Sequence, residues 1–234
     1  MSFHSIYFCP LCSSSVESYC KDDFRLYLRC PSCSLIFVPP QYHVSPDEEK
    51  LRYARHRNTK DNENYVAYLS GIANEILDLT EQPPSVLDFG CGEYQVLSDI
   101  LNERGARCAS YDPLYGISTI TPGERYDIVV ACEVFEHLRG VKKELDLVAG
   151  LMKPDGFLFV RTLLYDGVQD FASWWYAKDV THVNFFCEMS MEKVGEIMGI
   201  KLLSSDKRNT VVFSNGAKAK KKWTWKPNFE GEDS

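Results

Sequence analysis

At 234 residues, 44% of them hydrophobic and 25% charged, the chain has material for one α/β domain plus a small appendage, which excludes two large domains and global disorder. A net charge of −7 excludes a surface built wholesale to neutralise nucleic-acid phosphates, and no apolar run approaches the roughly 18 residues of a membrane span. Met1-Ser2-Phe3-His4 lacks the charged-then-apolar layout of a secretory signal, so the expectation is a cytoplasmic protein whose nine cysteines act as metal ligands or buried thiols.

The first forty residues carry two C-x-x-C pairs, Cys9 with Cys12 and Cys30 with Cys33, separated by 17 residues. Between them Phe24 to Arg29 alternates polar and apolar like a strand. That is the layout of a zinc ribbon: four thiolates close a tetrahedral shell and leave no open position for water, so the expected zinc is structural. Metal ligation would supply the folding energy that a module this small cannot gain from apolar burial. Pro39-Pro40 ends the next strand, and Ser45-Pro46-Asp47-Glu48-Glu49 reads as a cap opening a helix, which places a boundary after residue 45.

Residues 46–216 read as an α/β domain. Asp47 to Leu79 is helical in pattern up to Pro83-Pro84, and Ser85 to Phe89 is a short apolar strand. Gly90-Cys91-Gly92 follows, then a helix through Leu97, Ile100 and Leu101. Further strands are expected at Arg107 to Asp112, Tyr126 to Cys132 and Gly156 to Val160, with a helix through Leu145, Val148 and Leu151 ending at Lys153-Pro154-Asp155-Gly156. The alternation predicts a doubly wound, mostly parallel sheet. Ile200 to Leu203 and Thr210 to Phe213 predict a C-terminal antiparallel hairpin at its edge. Residues 217–234 form a tail in which Lys218, Lys220, Lys221 and Lys222 stand beside Trp223 and Trp225. It reads as a solvated edge, or as a grip for single-stranded nucleic acid.

The strand, glycine turn and helix open a nucleotide-binding half. Asp112 lies 24 positions after Asp88, at the end of the second strand, where an acid can accept hydrogen bonds from ribose hydroxyls. The turn has no third glycine to pack a helix against a pyrophosphate, which disfavours a dinucleotide.

Four segments, Val86 to Gly92, Tyr111-Asp112, Tyr126 to His137 and Leu151 to Phe157, stand in the order seen in Rossmann-like class I S-adenosylmethionine-dependent methyltransferases. From about residue 50 to 215 the chain resembles that family, in which a zinc-ribbon-like leader is a familiar variant. The resemblance implies that Asp88, Gly90 and Gly92 face the methionine end of the cofactor and that Asp112 grips the ribose. It also implies that Glu133 and Val134 lie near the methyl sulfonium. Two departures stand out: Tyr94 replaces the family's third turn glycine, and no acid that would read the adenine amino group is visible between Asp112 and Tyr126.

Trp174 to Phe186 resembles the aromatic, Asp-x-x-His-containing segment of many small-molecule members. His182 is the best candidate base for a hydroxyl acceptor, with Asp179 holding its ring; alternatively His182 closes the pocket or bonds a backbone carbonyl. His137 is a second candidate base that also reads as a helix cap, and Trp174 and Trp175 offer stacking surface or core packing. The expected function is methyl transfer to a small or medium-sized acceptor, at oxygen. The alternatives are an RNA methyltransferase gripping through the ribbon and tail, and a non-catalytic zinc scaffold that binds the cofactor.

Overall fold

A computed structural model describes residues 7–216, so the tail from 217 to 234, with its lysines and tryptophans, lies outside the described residues. The ribbon is built on two knuckles of the same form. In each, the residue after the second cysteine returns its N–H to the carbonyl of the first: Ser13 to Cys9 at 2.9 Å and Ser34 to Cys30 at 2.8 Å. Both serines take the left-handed conformation, at φ 62 and φ 58, which lets each loop close so tightly. Strands β1 (Glu17–Lys21), β2 (Leu26–Arg29) and β3 (Ile36–Phe37) pair antiparallel behind the knuckles.

Helix α1 (Pro46–Tyr53) opens on the capping box the sequence predicts, with Ser45 and Glu48 satisfying each other's backbone N–H. The single helical stretch expected from Asp47 to Leu79 is two helices, α1 and α2 (Glu63–Leu77). Arg57 breaks it in the left-handed conformation at φ 44, and Asn62 restarts it by accepting the Tyr65 N–H at 3.3 Å. Then follow β4 (Ser85–Phe89), α3 (Val96–Glu103), β5 (Arg107–Asp112), β6 (Ile117–Ser118), β7 (Tyr126–Cys132), α4 (Val141–Leu151) and β8 (Met152–Arg161). The Lys153 to Gly156 turn proves to lie inside β8, as an irregularity in its pairing with β7 where Asp155 sits at φ 64. The described residues close with β9 (Asn184–Phe185), α5 (Glu188–Met198), β10 (Lys201–Ser205) and β11 (Thr210–Ser214).

Seven of these strands form one sheet in the order β10-β11-β8-β7-β4-β5-β6. Its centre, β8-β7-β4-β5, is parallel, and β10 and β11 make the expected antiparallel edge hairpin. Both faces are covered, which is why β4, β7 and the Phe157 to Val160 part of β8 read as largely apolar runs. Leu87, Val129, Leu158 and Val160 face the α4 and α5 side with Leu145, Val148 and Val194, whereas Val86, Ile128, Val130 and Phe159 face Ile72, Ile76, Ile100 and Leu101 from α2 and α3. Alternate residues thus fill opposite cores, as a period of two requires.

The ribbon is stitched into this body. Strand β3 pairs with β9, so a strand from residues 184–185 completes the ribbon's own sheet. An aromatic cluster of Tyr27, Phe171, Tyr176 and Phe185 fills the space between them.

Candidate functional site

In an open parallel sheet, ligands bind beyond the carboxyl ends of the strands, where the chain leaves the central strand in two directions. Here β4 stands between β5 and β7, and a cavity of about 1210 Å³ opens above it. All six residues expected to hold a cofactor, Asp88, Gly90, Gly92, Asp112, Glu133 and Val134, line it, as do Asp179 and His182.

The turn after β4 requires its glycines. Gly90 sits at φ 83, and a Cβ on it would stand 2.4 Å from Val134 Cγ2, so Val134 floors the turn. Gly92, at φ 67, has open space where a Cβ would go, and its N–H donates to Asp112 Oδ2 at 2.9 Å. Asp112 also accepts from the N–H groups of Leu114 at 2.9 Å and Tyr115 at 3.3 Å. Three backbone donors leave this carboxylate about one lone-pair site for a ligand. Asp88 is buried, accepts the Ser98 hydroxyl at 2.8 Å, and has its pKa pushed up to about 7 by burial and by the charge of Asp112, against the Ser98 hydrogen bond.

After β7 the backbone turns sharply through Glu133, at φ 55, whose carboxylate opens onto the cavity and accepts the Tyr68 hydroxyl at 3.1 Å. Burial among protein atoms and the neighbouring Glu136 carboxyl raise its pKa. Three residues on, Glu136 is fully buried; its Oε2 accepts the Thr162 hydroxyl at 2.8 Å, while its Oε1 has no hydrogen-bond partner.

His137 and His182 meet at this corner with ring centroids 4.8 Å apart. His137 Nδ1 lies 3.0 Å from the Thr181 carbonyl and His182 Nδ1 lies 2.7 Å from the Tyr176 carbonyl. A carbonyl only accepts, so this hydrogen bonding assigns the proton to Nδ1 and leaves Nε2 as the lone pair in both neutral rings. Burial keeps them neutral: it lowers the pKa of His137 and, as the largest cause, takes that of His182 to about 3.

Asp179 stands apart from the role expected for it. Its Oδ1 accepts the Thr181 N–H at 3.0 Å and the Thr181 hydroxyl at 2.7 Å, and its Oδ2 pairs with Arg52 of α1 at 2.7 Å. Burial would raise its pKa, but Arg52 and the Thr181 donors outweigh that and hold the carboxyl well below the usual range. The Tyr176 carbonyl, rather than Asp179, orients the His182 ring. Trp174 packs on Tyr176 with centroids 4.9 Å apart, while Trp175 is exposed at the cavity wall.

Sequence reasoning missed the roof. Helix α1 and the start of α2 bring Glu49, Tyr53, Tyr65 and Tyr68 to the cavity, and α1 is fastened there by the Arg52–Asp179 pair and by Arg139–Glu49 at 2.6 Å. The alternation of apolar residues reports which face of a helix is buried, but not that its polar face closes a site.

At the far end, Sγ atoms of Cys9, Cys12, Cys30 and Cys33 lie within 4.8 Å of one another, with three pairs at 3.5 to 3.6 Å. Four sulfurs around one zinc at about 2.3 Å stand about 3.8 Å apart, so the cluster fits a closed tetrahedral shell.

A family model described as a methyltransferase domain matches residues 53–205. The chain belongs to this family. The chain is 31% identical over 149 residues to a ubiquinone biosynthesis O-methyltransferase of Rhodopseudomonas palustris (strain BisB5), an alignment covering 54% of each protein. A protein of the same description from Bradyrhizobium diazoefficiens is 33% identical over 100 residues, covering 33% of this chain and 39% of its own length. The chain therefore spans about half the length, or less, of these curated relatives. Among solved structures, the plantazolicin methyltransferase BpumL in complex with SAH superposes with a TM-score of 0.50 at 12% identity, over 75% of this chain and 93% of that one, which shows a shared fold. Among the described residues no helix is long and apolar enough to cross a membrane.

Proposed function

We propose that this methyltransferase-domain protein transfers a methyl group from S-adenosylmethionine to an oxygen of a small acceptor. The observation that carries this reading is one cavity lined both by the Gly90 turn with Asp112 and by two neutral imidazoles. Its volume of about 1210 Å³ exceeds the roughly 300–1,000 Å³ of a one-ligand pocket, which suits a cofactor beside an acceptor. The O-methyltransferase relatives support oxygen as the atom methylated, and the SAH-bound neighbour supports the methyl donor.

When bound, S-adenosylmethionine supplies an electrophilic methyl on a sulfonium. The residues of the chain do the rest. Asp88, Gly90 and Gly92 form the floor for the methionine end, Asp112 offers its remaining lone pair to the ribose, and Glu133 and Val134 set the wall nearest the reacting centre. His182 Nε2 faces the acceptor side and receives the hydrogen bond of the acceptor hydroxyl, which aims the oxygen at the methyl group. The α1 roof excludes water. The four ribbon cysteines hold a structural zinc, and through β3 and β9 the ribbon supports the acceptor side.

The test is calorimetric binding of S-adenosylmethionine and S-adenosylhomocysteine, followed by mass spectrometry of a panel of hydroxylated aromatic compounds incubated with the protein and donor. Micromolar cofactor binding and a product heavier by one CH2 are expected. No cofactor binding would sink the reading.

A further inference from the structure

We propose that Glu136, His137 and His182 form a binding site for a divalent transition-metal cation at the acceptor end of the cavity, distinct from the four-cysteine cluster. This rests on the methyl-transfer reading only for what the ion would act upon; the site itself is argued from the side chains.

Three observations converge. One donor atom from each of these residues lies within 4.8 Å of those of the other two, at the wall of a cavity wide enough to admit an ion and its ligands. Both imidazoles give their Nδ1 proton to a backbone carbonyl, which fixes each ring and leaves its Nε2 lone pair free, the arrangement that metal-bound histidines require of their surroundings. The third donor is an anomaly without an ion. Glu136 Oε1 is buried and without a hydrogen-bond partner, 4.0 Å from His137 Nε2, although its sister oxygen is bonded to Thr162. A buried carboxylate oxygen left unpaired is costly, and a cation removes that cost.

Charge points the same way. Glu133 and Glu136 crowd one corner beside two uncharged rings, and among the described residues no lysine or arginine pairs with Glu136. Two imidazole nitrogens and a carboxylate favour ions such as Mn²⁺, Fe²⁺, Co²⁺ or Zn²⁺ over Mg²⁺ or Ca²⁺, which prefer oxygen alone. Donors around one ion at about 2.1 Å stand about 3.0–3.4 Å apart, so binding draws the three inward by about 1 Å. Three protein ligands leave positions open toward the cavity. With the ion in place the His182 Nε2 lone pair is taken, so the acceptor hydroxyl meets the ion at an open position instead of the imidazole and loses its O–H proton to water more readily. Its oxygen lone pair then forms the O–CH3 bond as the C–S bond breaks, with the electron pair left on sulfur.

The experiment is titration of the full chain, its ribbon metal left in place, with Mn²⁺ alone. This hard ion disfavours thiolates, and loss of its free EPR signal reports binding. One Mn²⁺ per chain is expected. Its affinity should fall at least tenfold in Glu136→Gln and in His182→Ala, and pulsed EPR should show two nitrogen couplings in the wild type and one in His182→Ala. Mn²⁺ uptake no stronger than in Glu136→Gln, or uptake without nitrogen coupling, would overturn the site. S-adenosylmethionine binding measured on the same samples separates the two readings. Cofactor bound with no Mn²⁺ overturns the cation site alone, and Mn²⁺ bound with no cofactor overturns methyl transfer alone. Retention of cofactor binding also shows that each variant is folded.

Discussion

Replacing Arg25 with methionine tests whether the ribbon holds the acceptor side of the cavity in place. Arg25 belongs to the ribbon, is buried, and sends its guanidinium 150 residues and more along the chain to the carbonyls of Ala177, Asp179 at 3.1 Å and His182 at 3.2 Å, and also to the Tyr27 hydroxyl at 2.9 Å. Hydrogen bonds to a charged donor are worth about 1.5–3 kcal/mol each; the Ala177 carbonyl keeps the Tyr27 hydroxyl at 2.9 Å and that of Asp179 keeps the His182 N–H at 3.1 Å, so the His182 carbonyl is the one left unpaired, at about 1 kcal/mol or more. Because such contributions overlap, the expected loss is about 3–5 kcal/mol, a large part of the stability of an ordinary domain. Urea unfolding at unchanged slope should show it, and Arg25→Lys, able to reach one carbonyl rather than three, should recover less than half. If the segment from Ala177 to His182 is what loosens, the acceptor KM rises while S-adenosylmethionine affinity stays within about twofold. A stability loss below 1 kcal/mol would refute the bridging role. Equal losses of acceptor and cofactor affinity would show a general collapse instead.

Most of the fold is legible in the chain because its signals are local. Val86 to Phe89 and Ile128 to Ala131 announce two-faced burial, Gly90-Cys91-Gly92 announces a turn that side chains would block, and the cysteine spacing announces the knuckles. The misread stretches are those where one residue decides. Arg57 in the left-handed conformation splits a helical pattern that apolar spacing carries straight through, and Asp155 at φ 64 lets the chain stay within β8 where proline and glycine suggest a stop. Neither residue type advertises its conformation. The pairing of β3 with β9 is invisible for another reason: its partners lie about 150 residues apart, and two-residue strands carry no periodicity.

At the site, the residues singled out from the sequence line the cavity, but some of their contacts differ from those expected. Asp-x-x-His suggests a carboxylate orienting an imidazole, yet Asp179 turns to Thr181 and Arg52, and a carbonyl takes its place at His182. Spacing in a loop fixes neighbourhood, not hydrogen-bond reach. Glu136 and His137 stand adjacent in the sequence, but nothing there shows that a strand switch and a loop 45 residues later bring His182 against them.

Three further changes test the remaining geometry. Gly90→Ala places a Cβ 2.4 Å from Val134 Cγ2 at a positive φ, so calorimetry should show at least a tenfold loss of cofactor affinity; a change under twofold would mean the turn does not bear on the cofactor. Arg52→Ala removes a half-exposed ion pair and should cost only about 1 kcal/mol in stability, yet speed amide exchange across α1, and unchanged exchange would show that the pair does not fasten the roof. Asp88→Asn isolates a pH effect of defined sign. Folding raises the Asp88 pKa from 3.8 to about 7, so the folded protein holds this proton more tightly than the unfolded chain does. The stability due to that proton is complete below about pH 4, shrinks as pH rises through 7, and is gone above it, a change of about 4 kcal/mol at most. Asparagine keeps an acceptor for the Ser98 hydroxyl and carries no charge. The variant should therefore match the wild type at pH 4 and exceed it at pH 8, in unfolding measured without ligand. A variant less stable than the wild type at pH 8 would mean that Asp88 is ionised at no cost in the fold, and that burial does not govern it.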